Sequence, residues 1–104
     1  MKEVNDNELG KIISKNEKLL VVDFFSDSCP ACVAVSKIFP TIEKNYDSKV
    51  SFLSYNVSEN NKFSREFSIM GLPSILIIKN GKVMGQFTGL VSKLKIEGMI
   101  NKYL

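Results

Sequence analysis

The run Leu19-Leu20-Val21-Val22-Asp23-Phe24-Phe25 constrains the fold more than any other segment. It is continuously apolar except for one acid, and its length and β-branching mark a strand buried on both faces. Such a strand needs cover from two sides, and the rest of the chain alternates strands and helices in a way that supplies it. A short strand is expected over 2–4. Asn5 then caps a helix over about 6–16, with Glu8 three residues on as the reciprocal partner of a capping box and Leu9, Ile12 and Ile13 on one face. A helix over 30–46 carries Val35, Ile38, Phe39, Ile42 and Tyr46 at three- and four-residue spacings, kinked by Pro40. The strand expected over 50–57 puts Val50, Phe52 and Ser54 on one face and Ser51, Leu53 and Tyr55 on the other. A short helix over 60–67 precedes the apolar strand 74–79, and Asn80-Gly81, both tolerant of positive φ, turns the chain into a returning strand over 82–88. The closing helix, 91–103, has Leu94, Ile96, Met99, Ile100 and Tyr103 as its apolar residues and is weakened by Gly98. Strands joined by helices pair in parallel and the Asn-Gly hairpin adds an antiparallel pair, so the fold class is α/β. Six of the seven phenylalanines, Phe24, Phe39, Phe52, Phe63, Phe67 and Phe87, are expected to be packing residues.

The chain of 104 residues is one domain's worth, 1–104, and its 44% hydrophobic and 24% charged content are those of a globular protein. Its formal charge of +3 is spread thinly and carried almost entirely by lysine, with Arg65 the one arginine, which argues against a nucleic-acid partner. Met1-Lys2-Glu3-Val4-Asn5-Asp6 lacks the apolar run of a signal peptide, and no segment reaches the roughly 18 apolar residues of a membrane span. The expected compartment is the cytoplasm, where thiols are kept reduced and a cysteine pair is catalytic or metal-binding rather than a structural staple.

That pair is Cys29 and Cys32, the only cysteines, in Cys29-Pro30-Ala31-Cys32. Cys29 follows the central strand through Ser26-Asp27-Ser28 and precedes Pro30, a residue favoured at the first helical position. It therefore stands at a helix N-cap, where free backbone N–H groups and the helix dipole favour its thiolate and lower its pKa from about 8.5. Cys32, three residues on, lies on the same helix face and deeper. Cys29 is the nucleophile in this reading and Cys32 the resolving thiol. Three plainer readings compete. A structural disulfide closing so short a loop removes little unfolded-state entropy. A zinc site needs four ligands, and the chain has no His and no further Cys, so only an intermolecular four-cysteine site would serve. Two incidental buried thiols are the third. C-x-x-C at a strand-to-helix junction in a βαβ pattern favours the redox pair, with no metal and no organic cofactor. Two further residues stay open at this level. Asp23 either turns inward beneath the cysteine helix or faces solvent at a strand end. Pro73 is permitted as an ordinary trans residue opening its strand.

Three blocks of this sequence resemble the thioredoxin family, and together they cover nearly the whole chain. "VVDFFSDSCPAC" resembles the family's strand, loop and active site; "GLPSILIIKNGKV" its Gly-Ile-Pro-Thr segment with the following strand and hairpin; "TGLVSKLKIEGMINKYL" its closing glycine and C-terminal helix. The spacings fit without an insertion. The resemblance implies the thioredoxin fold, a central mixed β-sheet of two or three parallel strands and an antiparallel hairpin with helices on both faces. It implies dithiol–disulfide exchange with disulfide-containing protein targets and recycling by a thioredoxin reductase. It also implies that Asp23 is buried, raised in pKa by desolvation, and exchanges a proton with Cys32. The Leu72–Pro73 peptide is implied to be cis, with Leu72 and Pro73 offering an extended substrate segment a brief β-type pairing and Gly89 lining the same groove. The chain departs from the family where Trp-Cys-Gly-Pro-Cys is customary: it has Ser28-Cys29-Pro30-Ala31-Cys32, so Pro30 and Ala31 become redox-tuning positions. Phe25 stands for the other customary tryptophan, and Ser54 for the common lysine near the acid.

The function expected is that of a monomeric protein-disulfide reductase. Proline directly after the first cysteine also resembles glutaredoxin-like and oxidase- or isomerase-like relatives. A binding module that uses the fold without redox chemistry is the rival of another class.

Overall fold

The computed structural model describes residues 1–15, 17–46 and 48–104. The elements are β1 (Lys2–Glu3), α1 (Asp6–Lys15), β2 (Leu19–Phe25), α2 (Pro30–Ser36), α3 (Phe39–Tyr46), β3 (Val50–Asn56), α4 (Lys62–Glu66), β4 (Ser74–Lys79), β5 (Lys82–Thr88) and α5 (Lys93–Tyr103). The strands form one sheet in the order β1-β3-β2-β4-β5. β1, β3 and β2 run parallel, β4 is antiparallel to β2, and β5 returns antiparallel to β4. This is the thioredoxin fold expected from the sequence.

β2 is central, and its alternating side chains feed two cores. Leu19 and Val21 join Phe39, Ile42, Phe52, Ile75, Ile77, Ile96 and Ile100 on the face covered by α2, α3 and α5. Leu20, Val22 and Phe24 join Leu9, Leu53, Tyr55, Phe63, Leu76 and Ile78 on the face covered by α1 and α4. Asp23 has the parity of Val21, so its carboxyl belongs to the face that α2 covers.

The capping box at α1 is reciprocal: Asn5 N–H donates to Glu8 Oε1 at 3.0 Å, and Glu8 N–H to Asn5 Oδ1 at 2.8 Å. At the hairpin Asn80 and Gly81 both take positive φ, 55° and 75°, as a type I′ turn requires.

The expected single helix over 30–46 is instead two helices, broken at Lys37–Ile38. Pro40 has no N–H for the Ser36 carbonyl, and the chain tightens there, with Ile38 N–H donating to the Val35 carbonyl at 3.1 Å. Pro40 thus stands in the first turn of α3 and starts a helix rather than bending one. The fourth helix is shorter than expected, and β3 ends at Asn56. The expected end of the first helix at Asn16 lies outside the described residues. In α5 Leu94 points to solvent, 80% exposed, because burial there is carried by Ile96 and Ile100.

Candidate active site

β2 delivers the chain to the site and the end of β3 braces it. The Val57 N–H donates to the Phe25 carbonyl at 2.8 Å, extending the β2–β3 pairing past the strand ends. Asn56 Nδ2 donates to Asp27 Oδ1 at 2.9 Å, Ser58 N–H to Asn56 Oδ1 at 2.9 Å, and Asp27 N–H to Ser58 Oγ at 3.1 Å. The loop Ser26–Ser28 is therefore held by side chains that the sequence analysis did not single out. Asn56 is buried, and a buried amide needs partners. The only sequence signal was a cluster of Asn and Ser at a strand end.

Cys29 is the N-cap of α2, extended at φ −121° and ψ 98°, with Pro30 in the first turn. It is bonded to Cys32 as a disulfide with the two Cα atoms 5.2 Å apart. Its Sγ accepts a hydrogen bond from the Cys32 N–H at 3.2 Å, and its carbonyl accepts from the N–H groups of Cys32 and Val33. Cys32 is 3% exposed, whereas Cys29 is only part-buried. The donor at Sγ in the disulfide is thus the Cys32 N–H, a group that does not depend on which residue stands at position 31.

Asp23 is 2% exposed, and its Oδ1 has no hydrogen-bond partner among the described residues. Desolvation by burial pushes its pKa up to about 7. It is level with Ser54 of β3 and Ile75 of β4. Asp23, Cys32, Ser26, Asp27, Ser36 and Ser54 line one cavity of about 350 Å³. The inner thiol and the buried acid therefore face the same space.

The Leu72–Pro73 peptide is cis. Phe24 pairs with Ser74, so Pro73 lies at the end of the sheet from which β2 leads to Cys29. Gly89, at φ +87°, donates its N–H to the Pro73 carbonyl at 2.8 Å. A Cβ at Gly89 would meet no atom of the chain within 4 Å, so the fold needs glycine there for its backbone conformation, not for space. Leu72, Pro73, Gly89 and the cysteine pair are thus gathered at one end of the sheet.

A family model for thioredoxin matches residues 1–102. The chain belongs to the thioredoxin family. Among curated thioredoxins it is 29% identical over 102 residues to that of Buchnera aphidicola, covering 98% of this chain and 94% of that one. It is 30% identical over 99 residues to that of Rickettsia felis, covering 95% and 94%. It is 26% identical over 104 residues to the chloroplastic M-type thioredoxin of Spinacia oleracea, covering all of this chain and 58% of that one. As a thioredoxin the chain is a protein-disulfide oxidoreductase that performs thiol–disulfide exchange through a redox-active cysteine pair, with a reductase and disulfide-containing proteins as its general classes of partner. No helix among the described residues is long and apolar enough to cross a membrane.

Proposed function

We propose that this thioredoxin is a monomeric, cytoplasmic, one-domain protein-disulfide reductase in which Cys29 attacks, Cys32 resolves and Asp23 moves the proton. The observation that supports the reading is an N-cap sulfur bonded to a buried sulfur that lines the same cavity as a buried acid. The Cys29 thiolate attacks one sulfur of a target disulfide, forming a mixed disulfide and releasing the other target sulfur as a thiolate. Asp23, ionised, takes the proton of Cys32, and the new thiolate attacks Cys29 Sγ. The Cys29–Cys32 disulfide forms and the second target sulfur leaves, so two electrons pass to the target. A thioredoxin reductase returns them. Leu72 and Pro73 present the target backbone, with Gly89 beside them at the groove.

Pro30-Ala31 favours a less negative potential than the thioredoxin value of about −270 mV, because Ala31 keeps an N–H in the first turn that can face the reduced sulfur. That would shift this chain toward oxidase- or isomerase-like balance without changing the steps. The test is trapping. A Cys32→Ser variant should accumulate mixed disulfides with protein targets, and a Cys29→Ser variant should not. Mixed disulfides formed equally well through Cys32 would overturn the assignment.

A further inference from the structure

The cavity that holds Asp23 and Cys32 has two sides of unlike build. At its rim stand Asp27 and Val33, the latter 57% exposed. On the side of α3 its lining is Met1, and Met1 also lines a second hollow, of about 440 Å³, with Pro40, Glu43 and Lys44 of α3. Among the described residues it is the one that the two cavities share. The residue as a whole is 41% exposed but its side chain only 12%, so the exposed part is backbone. Two sets of contacts hold it there. The Met1 amino group pairs with Glu43 Oε1 at 2.9 Å. Behind it β1 is stitched to β3: Lys2 and Glu3 pair with Leu53 and Ser54, and the Val4 N–H donates to the Ser54 carbonyl at 2.8 Å. Ser54 is itself level with Asp23. Met1 is thereby fixed beside the acid's cavity although it is remote from Asp23 in sequence.

We propose that Met1 is a positioning residue for the exchange: its side chain is the apolar wall that keeps the water of the α3 hollow away from Asp23, so that the carboxyl meets solvent only through the rim beside the cysteine helix. An unbranched, flexible thioether suits an irregular gap of this kind. Without it the two cavities would join. A buried carboxyl that gains water loses the desolvation that favours its neutral form. The groups around Asp23 leave that desolvation as the force at work. Ser54 of β3, Ile75 of β4, and Ser36 and the disulfide-bonded Cys32 of α2 carry no charge. The charged groups are Asp27 at the rim, the Met1 amino group with its partner Glu43, and Lys44 across the wall. Only the effect on resolution of the mixed disulfide depends on the exchange reading.

Two measurements separate the parts. The parent, Met1→Leu and Met1→Gly are each made behind a cleavable leader, so that the three chains have equal length and keep the amino group, Glu43 and Lys44. In the oxidised proteins the Asp23 carboxyl carbon is titrated by NMR. Met1→Gly should lower the midpoint by about one unit, a part of the roughly three to five units that full burial can supply. Met1→Leu restores an apolar wall and should keep the parent's midpoint. A midpoint unmoved in Met1→Gly, or lowered equally in Met1→Leu, would overturn the wall. The second measurement follows the release of a cysteine peptide from a preformed mixed disulfide with Cys29. The inflection of its pH–rate profile should move down in Met1→Gly and stay in place in Met1→Leu. An inflection that stays in Met1→Gly while the midpoint falls would overturn the positioning role. If the parent showed no inflection that Asp23→Asn removes, the proton role of Asp23 in the exchange reading would fall instead, and the titration would still decide the wall.

Discussion

Asp23 couples stability to pH with a definite sign. Its folded pKa, about 7, lies above the ordinary 3.8, so the folded state holds a proton that the unfolded chain releases. Below about pH 4 both states are protonated and the acid costs nothing. Between about pH 4 and 7 stability falls as pH rises, by an amount on the order of 4 kcal/mol, and above pH 7 the loss levels off. Asp23→Asn should therefore match the parent in urea unfolding at pH 4 and exceed it at pH 8, by up to a few kcal/mol. A constant difference at both pH values would show that the acid titrates alike in the folded and unfolded states, so that burial does not raise its pKa. The same variant should slow resolution of the mixed disulfide near neutral pH and less so at high pH, where Cys32 ionises unaided; stopped-flow quenching with mass detection checks this. At the cysteines, the exposure difference predicts that Cys29 is alkylated much faster than Cys32 in the reduced protein, read by peptide mapping.

Among the elements, α2 is the one in which the proposed redox tuning can be tested. Replacing Pro30-Ala31 by Gly-Pro moves the proline off the first helical position and deletes the N–H at 31. The pair should become more reducing and the Cys29 pKa should rise together, the potential shifting by about 30 mV for each 1.4 kcal/mol of thiolate stabilisation lost. A glutathione redox titration, read by mass after thiol trapping, measures it. The Cys32 N–H already on Sγ sets a floor that this substitution leaves in place. The elements also show what a sequence can disclose. The capping box, the Asn-Gly turn and the central strand were legible because each rests on local chemistry or on strict alternation. The break at Lys37–Ile38 was not, because the apolar spacing runs on through it: Val35, Phe39 and Ile42 enter the same core from two helices. The Asn56–Asp27–Ser58 brace was hidden for a different reason. It joins residues about thirty positions apart, and polar side chains at strand ends look alike until the partner is known.

Taken whole, the molecule is a sheet with two separate cores, and its stability should divide between them. Ile42→Val on the active-site face and Ile78→Val on the opposite face each remove one buried methylene and should cost about 0.5–1.5 kcal/mol in urea unfolding. The two residues lie in different clusters and share no partners in them, so the double variant should add to within about 0.5 kcal/mol. The sheet's order has one more consequence. β2 is hydrogen-bonded on both sides, to β3 and to β4, over most of its length. Its amide hydrogens can exchange with deuterated solvent only when the whole sheet opens, so they should be among the last in the molecule to be replaced. The carboxyl hydrogen of Asp23 hangs from that same strand, yet it faces a cavity with a solvent-exposed rim. Two isotope clocks therefore run side by side on one residue: a side chain that, in the proposed mechanism, trades its hydrogen at every turn, and a backbone that keeps its own until the protein unfolds.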